Sequence, residues 1–159
     1  MSTSIREKLA TLGIELPAPA APVASYVSVV RSGGQLLISG QISKAANGEV
    51  LAGTLGAGYS HAQGIEAARI AAINVLAQIA VSTDGSLSSV RRIVKLGVYV
   101  AATKDFTDHS QIANGASDLM IAVFGEAGSH ARAALGMSSL PAGAAVEIDA
   151  IVELEGNQC

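Results

Sequence analysis

Two long segments of the chain repeat apolar residues at the spacing of an α-helix. The first runs from about residue 60 to 81 and the second from about 108 to 124. Residues three and four apart lie on the same side of a helix, so each segment predicts a helix with one buried face. The first apolar stripe comprises Ile65, Ala68, Ala72, Val75, Leu76 and Ile79, and the second comprises Ile112, Ala116, Leu119, Met120 and Val123.

Five other segments are rich in β-branched residues and predict strands. Residues 26–30 and 35–42 flank the turn sequence "SGG" and predict a hairpin. Residues 90–103 predict one long strand. Residues 131–137 and 144–154 are joined by "SSLPAG" and predict a second hairpin.

The N-terminal segment predicts a short helix followed by an extended connector. "SIRE" has the form of a capping box, and Ile5, Leu9 and Leu12 fall on one helical face. "PAPAAP" lacks backbone donors at its prolines, so we expect it to be extended. We therefore divide the chain into residues 1–22, the helix and connector, and residues 23–159, the main domain.

The order of elements after the N-terminal helix, ββαβαββ, predicts an α+β domain in which both helices cover one face of a sheet. Only 14% of the 159 residues are charged, against about 25% in a typical protein. So few charges would cover a lone globule poorly. We therefore expect the other face of the sheet to be mostly apolar and to pack against further subunits.

Charge and targeting signals argue against several classes of function. The net charge of −3 and the pI near 5.5 disfavour nucleic-acid binding, which needs clustered Lys and Arg. The densest basic cluster, "RRIVK", is better explained as a solvated strand edge. Neither a signal peptide nor an uninterrupted apolar run of about 18 residues is visible, so we expect a soluble cytoplasmic protein without membrane contact. Cys159 is the only cysteine and can form no internal disulfide.

One arginine and one glutamate lie within the apolar C-terminal sequence. In a symmetric hairpin closed by "SSLPAG", Arg132 would be the diagonal neighbour of Glu147 on one face. One interpretation is a structural ion pair, although an exposed pair contributes only about 0–1 kcal/mol and desolvation offsets the attraction of a buried pair. The other is a binding site, in which the guanidinium holds a small carboxylate by two parallel hydrogen bonds and Glu147 positions a water or moves a proton. The residues alone favour neither interpretation.

The remaining candidate motifs are weaker. "GTLGAGYSHAQG" precedes a helix but matches neither the dinucleotide fingerprint nor the P-loop, so a flexible loop is favoured over a phosphate site. His61, His109 and His130 lack metal-ligand spacing, and we expect no metal. The first two histidines are expected to be structural or exposed, whereas His130 is close enough in sequence to flank Arg132. No serine near Arg132 has the His and Asp partners of a hydrolase triad beside it in sequence.

Two motifs resemble those of the Rid family, also called YjgF-like or L-PSP proteins. "LLISGQIS" resembles the "SGQ" strand of the family, and "LPAGAAVEIDAI" resembles its C-terminal signature, with Pro141 and Glu147 at the family's spacing from Arg132. The resemblance covers about residues 23–154. It implies a chorismate-mutase-like fold with a mixed sheet, and a homotrimer with its sites in the clefts between subunits.

The resemblance also implies an activity and a set of site residues. Members of its best-known branch hydrolyse reactive enamines and imines such as 2-aminoacrylate to a 2-keto acid and ammonia, without a cofactor. Arg132 corresponds to the arginine that binds the substrate carboxylate, and Glu147 to the glutamate that handles the attacking water. Tyr26, Ser39 and Asn114 correspond to further substrate-binding residues.

Several departures indicate a divergent branch of the family. "ASYVS" replaces the family's "GPYSQ", Ala134 stands where a cysteine is often found, and the N-terminal helix is additional. Three functions therefore stay open. They are a hydrolytic deaminase of 2-imino and enamine acids, a non-catalytic trimeric binding protein for small carboxylate metabolites and, least favoured by the acidic pI, an endoribonuclease or translation inhibitor.

Overall fold

The computed structural model describes residues 4–83, 85 and 87–156, so Cys159 lies outside the described residues. The helices are α1 (Ile5–Thr11), α2 (His61–Val81) and α3 (His109–Phe124), and single 3₁₀ turns cover Gly125–Gly128 and Pro141–Gly143. The strands are β1 (Val29–Ser32), β2 (Gln35–Ile42), β3 (Val90–Ala101), β4 (Ala131–Met137) and β5 (Val146–Leu154). Each predicted helix and strand is present, with ends within a few residues of those expected.

The five strands form one mixed sheet in the order β1-β2-β5-β3-β4. β3 and β4 are parallel, whereas the other neighbouring pairs are antiparallel. Parallel neighbours need a crossover, and α3 supplies the one from β3 to β4. β5 then lies between β2 and β3, so the predicted hairpin of β4 with β5 is wrong. The central position buries the alternate residues of β5, Val146, Ile148, Ala150, Val152 and Leu154.

Both long helices pack on one face of the sheet, as predicted. All five stripe residues of α3 are buried, and in the stripe of α2 only Ile65 is exposed. A side chain on Gly115 would collide with the backbone carbonyl of Ile65, so this glycine allows the two helices to approach closely. α2 has the length and composition of a membrane-crossing helix, but 67% of its most apolar 18-residue window is buried within the fold.

The opposite face of the sheet is open and mixed in character, whereas we expected it to be mostly apolar. Leu37 is 41% exposed on this face, but Lys95, Tyr99 and Asp149 line the same shallow hollow beside it. Glu147 also faces this side, since it lies two residues from Asp149 along β5. Part of the polar character of this face therefore comes from Glu147 and Asp149, which lie on the side of β5 opposite to its core residues.

The N-terminal segment packs against the body of the domain. The predicted capping box of α1 is present, since the Ser4 Oγ accepts from the Glu7 backbone N–H at 3.2 Å and the Glu7 carboxylate accepts from the Ser4 N–H at 2.8 Å. Ile5 and Leu9 contact the core as expected, whereas Leu12 is 37% exposed. The connector that follows passes over β2 and encloses part of the candidate site described below.

Candidate active site

Arg132 lies on the edge strand β4 and points towards the helices. It is the register partner of Leu96, whose side chain is fully buried beneath them. Its Nη1 donates to the side-chain oxygen of Asn114 at 2.9 Å and to Ser117 Oγ at 3.1 Å. Both acceptors belong to α3, one turn apart, so the helix surface holds the guanidinium in a defined orientation. Asn114, expected near the site from the family resemblance, therefore lies beside Arg132.

A short chain of hydrogen bonds extends from Arg132 to His130. The Nδ1 of His130 lies 2.6 Å from the Gly128 carbonyl oxygen, and its Nε2 lies 2.9 Å from Ser117 Oγ. A carbonyl only accepts, so Nδ1 carries a proton. Ser117 Oγ accepts from Nη1 of Arg132 and also bonds to Nε2 of His130, so it joins the two side chains. His130 thus contacts Arg132 indirectly, through Ser117.

The guanidinium of Arg132 has only neutral partners within the described part of the chain. Among the residues that the structure describes, no carboxylate lies within ion-pair distance of the guanidinium, and its bonded partners are neutral oxygens. The Nη2 makes only a long contact, 3.4 Å, to the Ser110 carbonyl. A half-buried guanidinium with free donors is suited to binding a carboxylate through two parallel hydrogen bonds.

Glu147 lines a surface pocket that is separate from the position of Arg132. The pocket has a volume of about 1080 Å³ and lies between the N-terminal connector and the middle of the sheet. Tyr26 and Gly40 line it together with Glu147, whereas Arg132 does not. A side chain on Gly40 would overlap the Glu147 carboxylate, so the glycine of the "SGQ" motif makes room for this carboxyl group.

The environment of Glu147 favours a carboxyl group that holds its proton more tightly than usual. Burial first, and the negative charge of Asp149 second, raise the pKa of Glu147 above its ordinary value of 4.5. Asp149 in turn accepts a hydrogen bond of 3.0 Å from the Tyr99 hydroxyl. Gly97 permits this arrangement, because a side chain there would collide with both Asp149 and Tyr99. A raised pKa makes Glu147 a stronger base at neutral pH.

Ser39 has a local structural contact. Its Oγ donates to the Val27 carbonyl at 2.8 Å, and its backbone N–H donates to the Ser28 carbonyl at 2.9 Å. These bonds hold the segment that carries Tyr26 against β2. Ser39 itself lines the hollow of Tyr99 and Asp149 rather than the Glu147 pocket.

Arg132 and Glu147 do not meet within one chain. Arg132 is level with Leu96 of β3, and Glu147 is level with Tyr99 of the same strand. Two strand spacings and three residues of offset separate their Cα atoms by roughly 14 Å. Because Leu96 and Tyr99 point to opposite faces, so do Arg132 and Glu147. The predicted diagonal contact is wrong, and the structural ion pair within one chain is excluded with it.

Two residues near the candidate groups were missed in the sequence. Asp149 was detectable, since it follows Glu147 by two residues and must share its strand face. Ser117 was detectable from Asn114, three residues earlier on a helix. Neither sequence spacing pointed to the site until the positions of Arg132 and Glu147 in the fold were known.

The other candidate motifs have structural contacts. His61 pairs with Asp108 at 2.9 Å, and Phe106 contacts the rings of both His61 and His109. In the glycine-rich loop, Gly53 accommodates the ring of Tyr59, so close packing explains this glycine. Among the described residues, no group of three or more His, Cys, Asp or Glu side chains is arranged to hold a metal ion.

Comparison with known families agrees with this architecture. Residues 6–154 match the family model described as "YjgF/chorismate mutase-like, putative endoribonuclease". The chain belongs to this family. The match spans nearly the whole chain and includes most of α1, and it confirms the resemblance of the "SGQ" and C-terminal motifs as well as the chorismate-mutase-like fold.

Individual relatives support the same assignment. The chain is 49% identical over 154 residues to protein TCP17 of Trypanosoma cruzi, covering 96% of each chain. It is similar to the crystal structure of Atu1372, a protein of unknown function from Agrobacterium tumefaciens, with a TM-score of 0.88, 42% identity and coverage of 96% and 94%. It is also similar to RidA from the Antarctic bacterium Psychrobacter, with a TM-score of 0.60, 26% identity and coverage of 89% and 97%.

Proposed function

We propose that this protein is a hydrolytic deaminase of 2-imino and enamine acids, which it converts to 2-keto acids and ammonia. The observation that carries the proposal is the guanidinium of Arg132, held by Asn114 and Ser117 but left without a carboxylate partner in the described chain. The resemblance of the "SGQ" and C-terminal motifs to the Rid family implies the same reaction class. Such a reaction needs a carboxylate anchor, a water and a base, and we assign the first role to Arg132 and the last to Glu147.

We further propose that one catalytic site is shared between two copies of the chain. Arg132 and Glu147 face opposite sides of the sheet, so only a second copy can bring an Arg132 surface to a Glu147 pocket. Two different surfaces then form the contact, and repetition of such a contact gives a ring when the rotation between copies closes. A ring of three copies agrees with the homotrimer that the family resemblance implies.

The proposed reaction uses side chains alone. Arg132 of one subunit holds the substrate carboxylate by two hydrogen bonds. Glu147 of the next subunit accepts a proton from a water as that water attacks the imine carbon, and a carbinolamine forms. The proton returns to the amino group, the hydroxyl proton passes to Glu147 as the carbon–nitrogen bond breaks, and ammonia leaves with the 2-keto acid. Imines of this kind already hydrolyse in water, so positioning and one base, worth about 10²–10⁴-fold, suffice.

The test is keto-acid release from an imino acid that an amino-acid oxidase produces in the same cuvette. Arg132→Ala is expected to lower kcat/KM by about 100-fold, because two charged hydrogen bonds to the carboxylate are lost. Arg132→Lys keeps the positive charge but loses the planar pair of N–H donors, so we expect an intermediate loss of kcat/KM of about tenfold. Arg6→Ala, which removes an exposed arginine of α1, is the matched control. Wild-type activity in Arg132→Ala would reject the proposal.

A further inference from the structure

The Glu147 pocket is much larger than the smallest imino acids require. Its volume of about 1080 Å³ is slightly above the range of about 300–1,000 Å³ that is typical of pockets for drug-sized ligands. The imino acid derived from alanine has only a few non-hydrogen atoms. A carboxylate anchor and a base at the Glu147 end of this pocket therefore leave space beneath the connector for another part of the ligand.

The side chains that line the pocket are mainly small and apolar. Besides Glu147, its charged residues are Glu15 and Lys44, and both are exposed to solvent. Alanine, proline and valine side chains make up half of the uncharged lining residues, including Pro17, Ala18 and Val23 on the connector and Ala45 and Ala46 on the facing loop. A surface of this kind binds hydrocarbon by excluding water from it.

The connector that forms one wall is held in place by a buried polar pair. The side-chain N–H of Gln78 donates to the Ala20 carbonyl at 3.0 Å and to the Gln41 side-chain oxygen at 3.3 Å. Gln78 is only 2% exposed and Gln41 only 7%. Loss of a buried partner costs more than an exposed hydrogen bond gains, so this pair keeps the connector over β2. The wall is therefore a lasting part of the pocket.

We propose that the substrates of this protein are imino acids with a large apolar side chain, of the size of leucine or larger, and that this side chain occupies the space beneath the connector. The inference rests on the proposed function, because the substrate carboxylate and imine carbon are placed by Arg132 and Glu147. It also assigns a role to the N-terminal segment: the connector forms the wall that contacts the substrate side chain.

The experiment compares imino acids made in the cuvette from leucine and from alanine. Each methylene that an apolar pocket buries is worth about tenfold or more in kcat/KM, so wild-type protein is expected to prefer the leucine-derived imino acid by at least that factor. Ala46→Trp, a substitution of an exposed lining residue, is expected to lower the leucine-derived rate about tenfold more than the alanine-derived rate. Ala57→Trp is the matched control, since Ala57 is exposed but does not line the pocket.

Two outcomes would overturn the inference. One is a wild-type protein without preference for the larger substrate, and the other is an equal loss for both substrates in Ala46→Trp. If wild-type protein hydrolyses neither imino acid, the proposed function fails, and calorimetry with the corresponding 2-keto acids tests the pocket by itself. Tighter binding of 4-methyl-2-oxopentanoate than of pyruvate would still support the inference, whereas equal binding or none would reject it.

Discussion

Arg132→Ala and Glu147→Gln each remove one half of the proposed site, so mixing the two variants tests how the halves combine. The Cα atoms of these residues lie roughly 14 Å apart in one chain, and the side chains point to opposite faces of the sheet. A site shared between subunits contains Arg132 of one chain and Glu147 of its neighbour. Each variant alone is therefore expected to be inactive, whereas some sites of a mixed oligomer are intact.

The recovered activity can be calculated from the arrangement. A site is intact when its Arg132 half comes from a Glu147→Gln chain and its Glu147 half comes from an Arg132→Ala chain. With equal amounts and random assembly, each condition is met half of the time, so about one quarter of the sites are intact. This fraction is the same for any closed ring.

The assay refolds the two variants together and measures keto-acid release against wild-type protein refolded in the same way. The matched control mixes Arg132→Ala with Asn114→Ala. Both residues belong to the same half, so no mixed oligomer contains a new intact site, and we expect no activity beyond the mean of the two variants. Absence of recovery in the first mixture, from oligomers shown to contain both variants, would refute the shared site.

Two further predictions concern the Glu147 pocket. Gly40→Ala should lower kcat at least about tenfold with little loss of thermal stability, since the new methyl group overlaps only the mobile end of Glu147. Asp149→Asn removes the negative charge that helps to raise the pKa of Glu147, while the amide oxygen still accepts from Tyr99. Glu147 then ionises at lower pH, so the acidic limb of the pH–kcat/KM profile should shift to lower pH. The part of the pKa increase of Glu147 that burial causes should stay.

Each of these predictions has a control on the same element. Gly34 directly precedes β2 and has room for a methyl group, so Gly34→Ala should leave kcat unchanged. An equal loss of kcat in both glycine variants would contradict the steric argument. The control for Asp149→Asn is Glu153→Gln, on the same strand. It removes a carboxylate that is paired with Arg91 and Arg92. An acidic limb that moves as far in Glu153→Gln as in Asp149→Asn would indicate a general charge effect.

Local features of this protein could be predicted from its sequence because they depend on neighbouring residues. The capping box of Ser4 and Glu7 involves residues three apart, and the stripe of α3 follows from helical spacing. The end points of β2 and β4 were likewise predicted, since turn residues bound both strands. The Rid-type motifs also identified Arg132 and Glu147 before either had been placed in space.

The order of the strands was decided only by the tertiary structure. "SSLPAG" is compatible with a hairpin, but β5 takes the central position between β2 and β3, where its alternate residues, including Val146 and Ile148, are buried on the side of the helices. That choice depends on β2 and β3, which are far away in the sequence. It places Glu147 on the opposite face of the sheet from Arg132, so the two residues cannot form the pair within one chain that the hairpin implied.

Sequence alone therefore determined which residues carry charge in an apolar setting and which segments form helices and strands, because both are properties of short stretches. The tertiary structure decided which of those charges are neighbours. It placed Asn114 and Ser117 against Arg132, and Gly40 beneath Glu147. Such contacts join segments that are distant in the chain, so they are settled by the packing of the whole sheet and its helices.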